Sequence, residues 1–254
     1  MATKPHETFF KRLKSSFSKL FFPQHITCLC CKKEIDEKEK LTFCQKCEKS
    51  LPYNNQKICT KCGTYLEKGT STLCINCKNS QKFYKKARAP FIYEGSIKKL
   101  VYDFKYNDCT YLAEPLSNMM SREIVLSNFT FDVIIPVPLC KTRLRERGYN
   151  QSLLLSNAIA KNFNSHVVTN ALIRIKKTQT QTHLSFDERR KNLENAFTIA
   201  NSDGFKGKNV LLVDDVFTTG ATAENCSELL FNNGAKNIYV ITLAHTSIKN
   251  ETQD

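Results

Sequence analysis

Three unbroken apolar runs divide the last two thirds of the chain. They span residues 133–138, 210–213 and 238–243, and all three contain Val or Ile together with other apolar residues. Pro136 and Pro138 end the first run. Apolar runs of this length are typical of strands that are buried on both faces, as in a parallel sheet. The pattern therefore predicts a parallel sheet that includes these three strands.

Apolar residues at helical spacing appear between these runs. One pattern includes Leu154 and Ala158, and another begins at about Ala223 and ends at Gly234, a residue suited to the turn that closes a helix. A further helical pattern covers 186–197. The alternation of strands and helices predicts an α/β fold with a doubly wound parallel sheet.

Before residue 28, apolar residues recur at helical spacing with lysines between them, and Pro23 ends the pattern. We expect this segment to pack on the rest of the protein, with attachment to a membrane surface as the alternative. No apolar run approaches the ~20 residues of a membrane-spanning helix. Basic residues also interrupt the segment where a signal peptide is apolar. The expected location is the cytoplasm, with the inner face of the membrane as the alternative.

Charge and cysteine are concentrated in the first third of the chain. The formal net charge is +14, from 38 Lys and Arg against 24 Asp and Glu. Residues 1–86 hold 18 of the basic residues and only 7 of the acidic ones, and nine of the 12 cysteines lie between Cys28 and Cys77. We therefore divide the chain into an N-terminal segment (1–27), a cysteine-rich domain (28–86), an α/β domain (87–247) and a tail (248–254).

The cysteine-rich domain contains four CxxC pairs, separated by gaps of 12, 11 and 11 residues. Each CxxC turn points two sulfurs at one ion, and two such turns complete a tetrahedral zinc site. A disulfide framework is the alternative, but it suits a secreted chain. Pairing in sequence order gives two zinc ribbons, and crossed pairing stays open. The eight candidate zinc ligands are Cys28, Cys31, Cys44, Cys47, Cys59, Cys62, Cys74 and Cys77.

Lysines surround these cysteine pairs, among them Lys46 and Lys49. They either track nucleic-acid phosphates or form an ordinary solvated surface. Phe43, Tyr53 and Tyr65 stand among the lysines and are candidates for stacking on bases. A site made of one Zn²⁺ ion and four thiolates has a net charge of about −2. Two such sites make the ribbons less basic than the lysine count suggests.

The second apolar run ends in two acidic residues and a loop rich in threonine. Asp214 and Asp215 close the predicted strand, and residues 218–222 lead into the next predicted helix. Small residues there allow backbone N–H groups to surround an anion at the helix N-terminus. The two carboxylates are suited to accept hydrogen bonds from vicinal hydroxyls. A phosphate beside a diol describes a ribose 5-phosphate.

The sequence VDDVFTTGAT at 213–222 resembles the phosphoribosyl-pyrophosphate (PRPP) loop of type I phosphoribosyltransferases. The resemblance implies that Asp214 and Asp215 hold the ribose hydroxyls and act in catalysis, and that Mg²⁺ arrives bound to PRPP. The implied 5-phosphate-binding residues are Thr218, Thr219, Gly220, Ala221 and Thr222. The implied pyrophosphate loop and basic cluster, after an earlier strand, comprise Pro138, Leu139, Lys141, Arg143 and Arg147.

In that enzyme family a mobile segment covers the active site, and the polar stretch 178–184 with the helical pattern after it is the candidate lid here. Its implied site residues are Gln181, Arg189 and Asn192. Lys105 lies between Phe104 and Tyr106, and it either reaches a phosphate or lies on the surface with its stem on apolar neighbours.

Over residues 22–245 the chain resembles the ComF family, in its paired cysteines, in Phe104-Lys105-Tyr106 and in the RGYNQ sequence at 147–151. That family is linked to natural competence, the handling of incoming single-stranded DNA. The resemblance implies a phosphoribosyltransferase-like domain that follows a double zinc ribbon and binds Mg²⁺–PRPP. The implied partners are PRPP, single-stranded DNA and other competence or DNA-handling proteins.

Two alternatives remain open from the sequence. One is a non-catalytic single-stranded DNA-binding protein that uses the fold as a scaffold, and the other is a phosphoribosyltransferase of nucleotide metabolism unrelated to competence. The two adjacent aspartates favour a bound ribose phosphate, because they would repel the phosphates of DNA. No Walker A sequence, GxGxxG sequence or Ser-His-Asp set appears, which argues against P-loop, dinucleotide and hydrolase chemistry.

Overall fold

The computed structural model describes residues 27–35, 42–66, 71–175 and 196–246. The N-terminal helical pattern and the candidate lid residues Gln181, Arg189 and Asn192 lie outside the described residues. The chain forms two compact units, Met1–Leu51 and Pro52–Asp254. The division at residues 27, 86 and 247 stays a prediction.

The described part of the first unit holds the first two CxxC pairs. The turn at Cys28 is closed by a hydrogen bond from its backbone N–H to the carbonyl of Lys33 (2.7 Å) and by one from Lys32 N to the Cys28 carbonyl (2.9 Å). Helix α1 (Gln45–Lys49) begins directly after Cys44. The buried apolar side chains here are Leu29, Ile35, Phe43 and Leu51.

The second unit begins with a ribbon that repeats this local structure. Cys59 N donates to the carbonyl of Thr64 (2.7 Å), and Gly63 N donates to the carbonyl of Cys59 (2.9 Å). Helix α2 (Ile75–Asn79) begins directly after Cys74, just as α1 begins directly after Cys44. The two ribbons are therefore local repeats, in agreement with the even spacing of the cysteine pairs.

The second ribbon packs on strand β1 (Lys86–Arg88) within the same unit. Ala87 N donates to the carbonyl of Lys61 (2.8 Å), and Arg88 Nη2 donates to that of Thr60 (2.9 Å). Gly63 has a φ of 78°, and a Cβ there would lie 2.9 Å from the Ala87 carbonyl oxygen. This position therefore needs glycine for both its backbone conformation and its close approach to the strand.

A parallel sheet forms the centre of the second unit. Its strands are β1, β2 (Phe91–Ile92), β3 (Val133–Pro136), β4 (His166–Val167), β7 (Asn209–Phe217) and β8 (Asn237–His245). The order is β1, β8, β7, β3, β4, and β2 also pairs with β8. The three apolar runs are thus the neighbouring strands β8, β7 and β3, which confirms the predicted parallel sheet.

Helices cover both faces of this sheet. They are α3 (Gly95–Tyr106), α4 (Ala113–Leu126), α5 (Lys141–Arg147), α6 (Gln151–Phe163) and α7 (Ala221–Asn232). Val210 and Leu212 of β7 share one core cluster with Cys226 and Leu230 of α7. The alternate side chains of β7 point to the opposite face, where α4 and α6 pack on each other and α6 packs on β7. The doubly wound architecture is confirmed.

Two local expectations were wrong. Strands β5 (Leu172–Arg174) and β6 (Phe197–Ile199) pair antiparallel, so Phe197 lies in a strand and does not end a helix. Cross-strand packing outweighs the helical spacing of its apolar neighbours. Helix α7 begins at Ala221 rather than at about Ala223, directly after Gly220, whose left-handed backbone (φ 82°) turns the chain from the loop into the helix.

Candidate functional site

The loop after β7 is short and held tightly. We call residues 218–222 the phosphate loop; they lie between the end of β7 and the first turn of α7, and all five are half-buried. Gly220 has a φ of 82°, and a Cβ there would lie 2.6 Å from the ring of Phe217, so glycine is required. The first N–H groups of α7 have no acceptor within the helix, which makes this loop suited to an anion.

The two aspartates, which we call the acidic pair, lie near the end of β7 beside the phosphate loop. Asp214 Oδ1 accepts hydrogen bonds from Ser152 Oγ (3.0 Å) and from Asp215 N (2.9 Å). Burial, together with the neighbouring carboxylate of Asp215, raises the pKa of Asp214 to about 7. Ser152 lies in α6, and nothing in the sequence connected that helix with the acidic pair.

Asp214→Asn is expected to stabilise the folded protein at about pH 8 and to have a much smaller effect near pH 4. An acid whose pKa rises on folding, here from 3.8 to about 7, binds more protons when folded. Stability therefore falls as pH rises through this interval, and the amide avoids that loss. A tenfold change in an acid dissociation constant corresponds to about 1.4 kcal/mol, so the gain should be on the order of a few kcal/mol. Thermal unfolding of both proteins across this range measures it, and a difference that does not grow with pH would contradict it.

Lys105, near the end of α3, is the cation beside the acidic pair. Its Nζ lies 2.8 Å from Asp215 Oδ2, and the two side chains are only 20% and 13% exposed. Burial alone would lower the pKa of Lys105, but the carboxylates of Asp215 and Asp214 raise it, so the ammonium stays charged. The sequence left Lys105 between a phosphate contact and a surface position, and the structure instead pairs it with an acid of the site.

A cavity of ≈ 510 Å³ lies beside Lys105. Its charged lining consists of four basic residues and two acidic ones: Lys105, Arg143, Arg145, Arg147, Asp108 and Glu146. Of the residues assigned to pyrophosphate, Arg143 and Arg147 are brought to this cavity. Pro138, Leu139 and Lys141 are not part of its lining, and Lys141 is exposed at the start of α5. The arginines make the cavity suited to an anion with several oxygens.

Side chains from the RGYNQ sequence join the elements around the site. Tyr149 OH donates to the carbonyl of Phe104 (2.8 Å), which holds the end of α3 that carries Lys105. Asn150 Nδ2 donates to the carbonyl of Val137 (3.0 Å), and Asn150 also caps α6. For Asn150 these contacts support the structural role over a role in binding a ligand.

The eight paired cysteines form two clusters, one in each unit. Within each cluster all four sulfurs lie within 4.8 Å of one another. Cys31 and Cys44 have sulfurs 3.7 Å apart, and those of Cys62 and Cys74 are 3.6 Å apart. Two thiolates at roughly 2.3 Å from one tetrahedral ion are about 3.8 Å apart. The clusters therefore fit two zinc ions, and the pairing follows sequence order, which rules out the crossed pairing.

The aromatic residues near the ribbon lysines have three different environments. Phe43 is buried, so the suggestion that it stacks on bases is wrong. Tyr53 packs on a buried phenylalanine with ring centroids 5.2 Å apart, and Tyr65 is 37% exposed. Lys46 and Lys49 are both exposed on α1. Among these aromatic residues, the exposed Tyr65 is the one best placed to meet a base.

Known protein families match both parts of the chain. The model of a double zinc ribbon domain matches residues 17–86, and that of a phosphoribosyl transferase domain matches residues 149–254. The first agrees with the two cysteine clusters and the second with the parallel sheet that carries the acidic pair. Across the ranges that the structure describes, no helix is long and apolar enough to cross a membrane.

Several curated proteins are similar over most of their length. Competence protein F of Haemophilus influenzae is 35% identical over 207 residues, which cover 79% of this chain and 88% of that protein. DNA utilization protein YhgH of Escherichia coli O157:H7 is 30% identical over 210 residues, which cover 80% and 90%. Competence protein ComFC of Bacillus subtilis is 30% identical over 208 residues, which cover 71% and 80%.

Proposed function

This chain belongs to the ComF family, and from that membership we propose that it binds Mg²⁺–PRPP at the acidic pair and the phosphate loop. The observation that carries the proposal is the position of two carboxylates directly beside a helix N-terminus, where N–H groups have no acceptor within the helix. An anion and a diol held a few ångströms apart would satisfy both groups at once. A ribose 5-phosphate has this combination.

The acidic pair would accept hydrogen bonds from the 2- and 3-hydroxyls of the ribose, and the phosphate loop would bind the 5-phosphate. Two carboxylates alone would repel a phosphorylated ligand, and the charge of Lys105 offsets that repulsion. Mg²⁺ fits best as an ion that enters on the pyrophosphate, because Lys105 and Ser152 already engage the aspartates. Arg143 and Arg147 would then face the pyrophosphate.

These residues also support transfer of the phosphoribosyl group. When the bond from ribose C1 to pyrophosphate breaks, the electron pair leaves with pyrophosphate and positive charge develops on the sugar ring. A nucleophilic atom of the acceptor then donates the electron pair of the new bond to C1. Fixed negative charge of the acidic pair would stabilise that ring, and the arginines of the cavity would stabilise the leaving group. The proposal therefore extends from binding to phosphoribosyl transfer. The proposed location is the cytoplasm, where a reducing environment keeps thiolates available for zinc.

The hydroxyl groups of the ligand give a direct test. We expect the zinc-loaded protein to bind Mg²⁺–PRPP and ribose 5-phosphate in a calorimetric titration, and 2-deoxyribose 5-phosphate about tenfold more weakly. The deoxy sugar leaves a charged acceptor without one hydrogen bond, which costs about 1.5 kcal/mol or more. Equal affinity for ribose 5-phosphate and 2-deoxyribose 5-phosphate would show that the acidic pair does not bind the two vicinal hydroxyls. A folded protein that binds none of the three would overturn the proposal.

Handling of single-stranded DNA, with other competence or DNA-handling proteins as partners, is the second proposed function. Relatives named for competence and for DNA utilization support it. Lys46 and Lys49 on α1 supply positive charge in a chain of net charge +14. A DNA strand would meet these lysines rather than the acidic pair, so the two ligands would have separate sites.

Lys46→Gln with Lys49→Gln is expected to weaken binding of single-stranded DNA and to reduce its dependence on salt. The slope of log K against log salt should fall by about 0.7 for every phosphate that the protein no longer neutralises. The matched control is Lys98→Gln with Lys99→Gln, two exposed lysines on α3 that remove the same charge. Fluorescence anisotropy at several salt concentrations measures both. Equal losses in the two pairs would mean that the first ribbon has no special part in DNA binding.

A further inference from the structure

Phe217 supports the phosphate loop from the side of the protein core. Its buried ring lies under Gly220, 2.6 Å from where a Cβ would be. His245, at the end of β8, stacks on this ring with centroids 4.6 Å apart and an interplanar angle of 25°. The neighbouring Thr246 donates from its backbone N–H to the carbonyl of Phe217 (2.9 Å) and from Oγ1 to that of Thr218 (3.3 Å). The end of β8 therefore holds the ring of Phe217 and the backbone at the start of the phosphate loop.

His245 also contacts the second zinc ribbon. Its Nδ1 donates to the carbonyl of Thr246 (2.8 Å), so its Nε2 accepts a hydrogen bond from Thr64 Oγ1 (3.1 Å). Thr64 Oγ1 is in contact with the sulfur of Cys62 (3.2 Å), a residue of the second cluster. Thr64 is 7% exposed and His245 is 3% exposed. Buried hydrogen bonds of this kind are costly to break because water does not replace the missing partner. Thr64 thus connects a zinc ligand with the histidine that supports the loop.

The ribbon and the loop also share one cavity, of ≈ 200 Å³. Asn76 and Cys77 line it from the ribbon, and Thr218 and Thr219 line it from the phosphate loop. The second ribbon is therefore a wall of the space above the loop as well as a support behind it. Both observations lie within the second unit.

We infer that Thr64 and His245 are positioning residues, which make the order of the phosphate loop depend on the second zinc site. Zinc would fix the position of Cys62, which is in contact with Thr64. Thr64 is hydrogen-bonded to His245, and the ring of His245 stacks on that of Phe217 under the loop. A loop that binds an anion with its N–H groups must hold them in place before the anion arrives. The consequence for affinity rests on the proposed function, whereas the order of the loop itself does not.

Hydrogen exchange of the free, zinc-loaded protein tests the connection without any ligand. In Thr64→Val the hydroxyl is removed and the shape is kept, and we expect peptides that cover 216–222 to exchange about fivefold faster, the equivalent of one net hydrogen bond. Thr64→Ser restores the hydroxyl and should return exchange to the wild-type rate. Thr60→Val is the matched control, because Thr60 Oγ1 lies in the same ribbon but donates to the carbonyl of Thr72 (3.1 Å).

His245→Phe keeps a ring against Phe217 but cannot bond to Thr64, so it should also speed exchange of 216–222 while all zinc ligands stay in place. Zinc content is measured for every variant and should remain two ions per chain. The inference is overturned if Thr64→Val changes exchange no more than Thr60→Val, or if Thr64→Ser is as fast as Thr64→Val. It is also overturned if His245→Phe exchanges like the wild type. A titration with inorganic phosphate then reports separately whether the ordered loop binds an anion.

Discussion

Replacing Cys77 by serine will destabilise the second unit far more than the matched change Cys47→Ser will. Each cysteine is the last of its cluster, and each substitution should reduce the zinc content from two ions to one. In the second ribbon, however, Cys59 and Cys62 belong to the same buried cluster as residues of the central sheet, and Cys77 packs against that cluster. Loss of this zinc therefore removes order from part of the core of the unit.

The expected loss of stability in Cys77→Ser follows from the free energy of zinc binding and from the stability of a typical domain. Structural zinc contributes about 10–16 kcal/mol of apparent binding free energy in small zinc-finger peptides, and a whole domain is stable by only about 5–15 kcal/mol. We expect the melting temperature of the second unit to fall by about 10 °C or more in Cys77→Ser, since 1 kcal/mol corresponds to about 2–4 °C at this size. In Cys47→Ser it should change little.

Hydrogen exchange of peptides from β7 and β8 reports on the second unit alone, with zinc content measured on the same samples. Those peptides should lose protection in Cys77→Ser and keep it in Cys47→Ser. If both variants lose one zinc and the two strands stay equally protected in both, the second ribbon does not stabilise the sheet. The experiment also separates a structural role of the second zinc from any role in DNA binding.

The central sheet was predictable because its strands are buried on both faces. Each such strand must be apolar throughout, so β3, β7 and β8 are visible as unbroken runs. The short edge strands β1, β2 and β4 have two or three residues each and leave no comparable pattern. The sequence also could not decide how the CxxC pairs combine, since the spacing is nearly uniform and the answer depends on which turns meet in space.

The partners of the acidic pair could not be predicted, for a similar reason. Lys105 and Ser152 lie on helices that precede β7 by many residues, and a contact between such distant positions has no periodicity to reveal it. His245 did leave a signal in the sequence. It comes two residues after the apolar run 238–243, with Ala244 between. A polar residue there is either exposed or held by a buried partner, and the structure shows the second case.

Asp215→Asn is expected to weaken Mg²⁺–PRPP binding by about 100-fold and to leave binding of single-stranded DNA unchanged. A charged acceptor contributes about 1.5–3 kcal/mol to each hydrogen bond, and every 1.4 kcal/mol is about a factor of ten in affinity. In the variant a neutral amide replaces the Asp215 carboxylate, whose Oδ2 lies 2.8 Å from Lys105 Nζ. DNA, by contrast, would bind at the lysines of the first ribbon and would not meet the acidic pair.

Lys105→Met tests whether the lysine acts through that carboxylate. Removal of one partner from a buried pair leaves the other charge uncompensated, which typically costs about 3–5 kcal/mol. The single variant should therefore lose both stability and PRPP affinity. The double variant, Lys105→Met with Asp215→Asn, should regain most of the stability, because neither charge is then left alone, while its PRPP affinity stays low. Chemical denaturation and calorimetry on the four proteins of this cycle give the coupling energy directly.

The four proteins distinguish three outcomes. If Asp215→Asn lowers affinity for PRPP and for DNA equally, without unfolding, the two ligands share a site and the separate-site proposal is wrong. If the double variant binds PRPP as well as the wild type does, the acidic pair is only a counter-charge for Lys105 and does not hold the ribose. If the double variant is folded and binds DNA but not PRPP, both parts of the proposal hold. That third result is the expected one, because a carboxylate at this position beside the phosphate loop would accept hydrogen bonds from the vicinal hydroxyls of a ribose and would repel the phosphates of DNA.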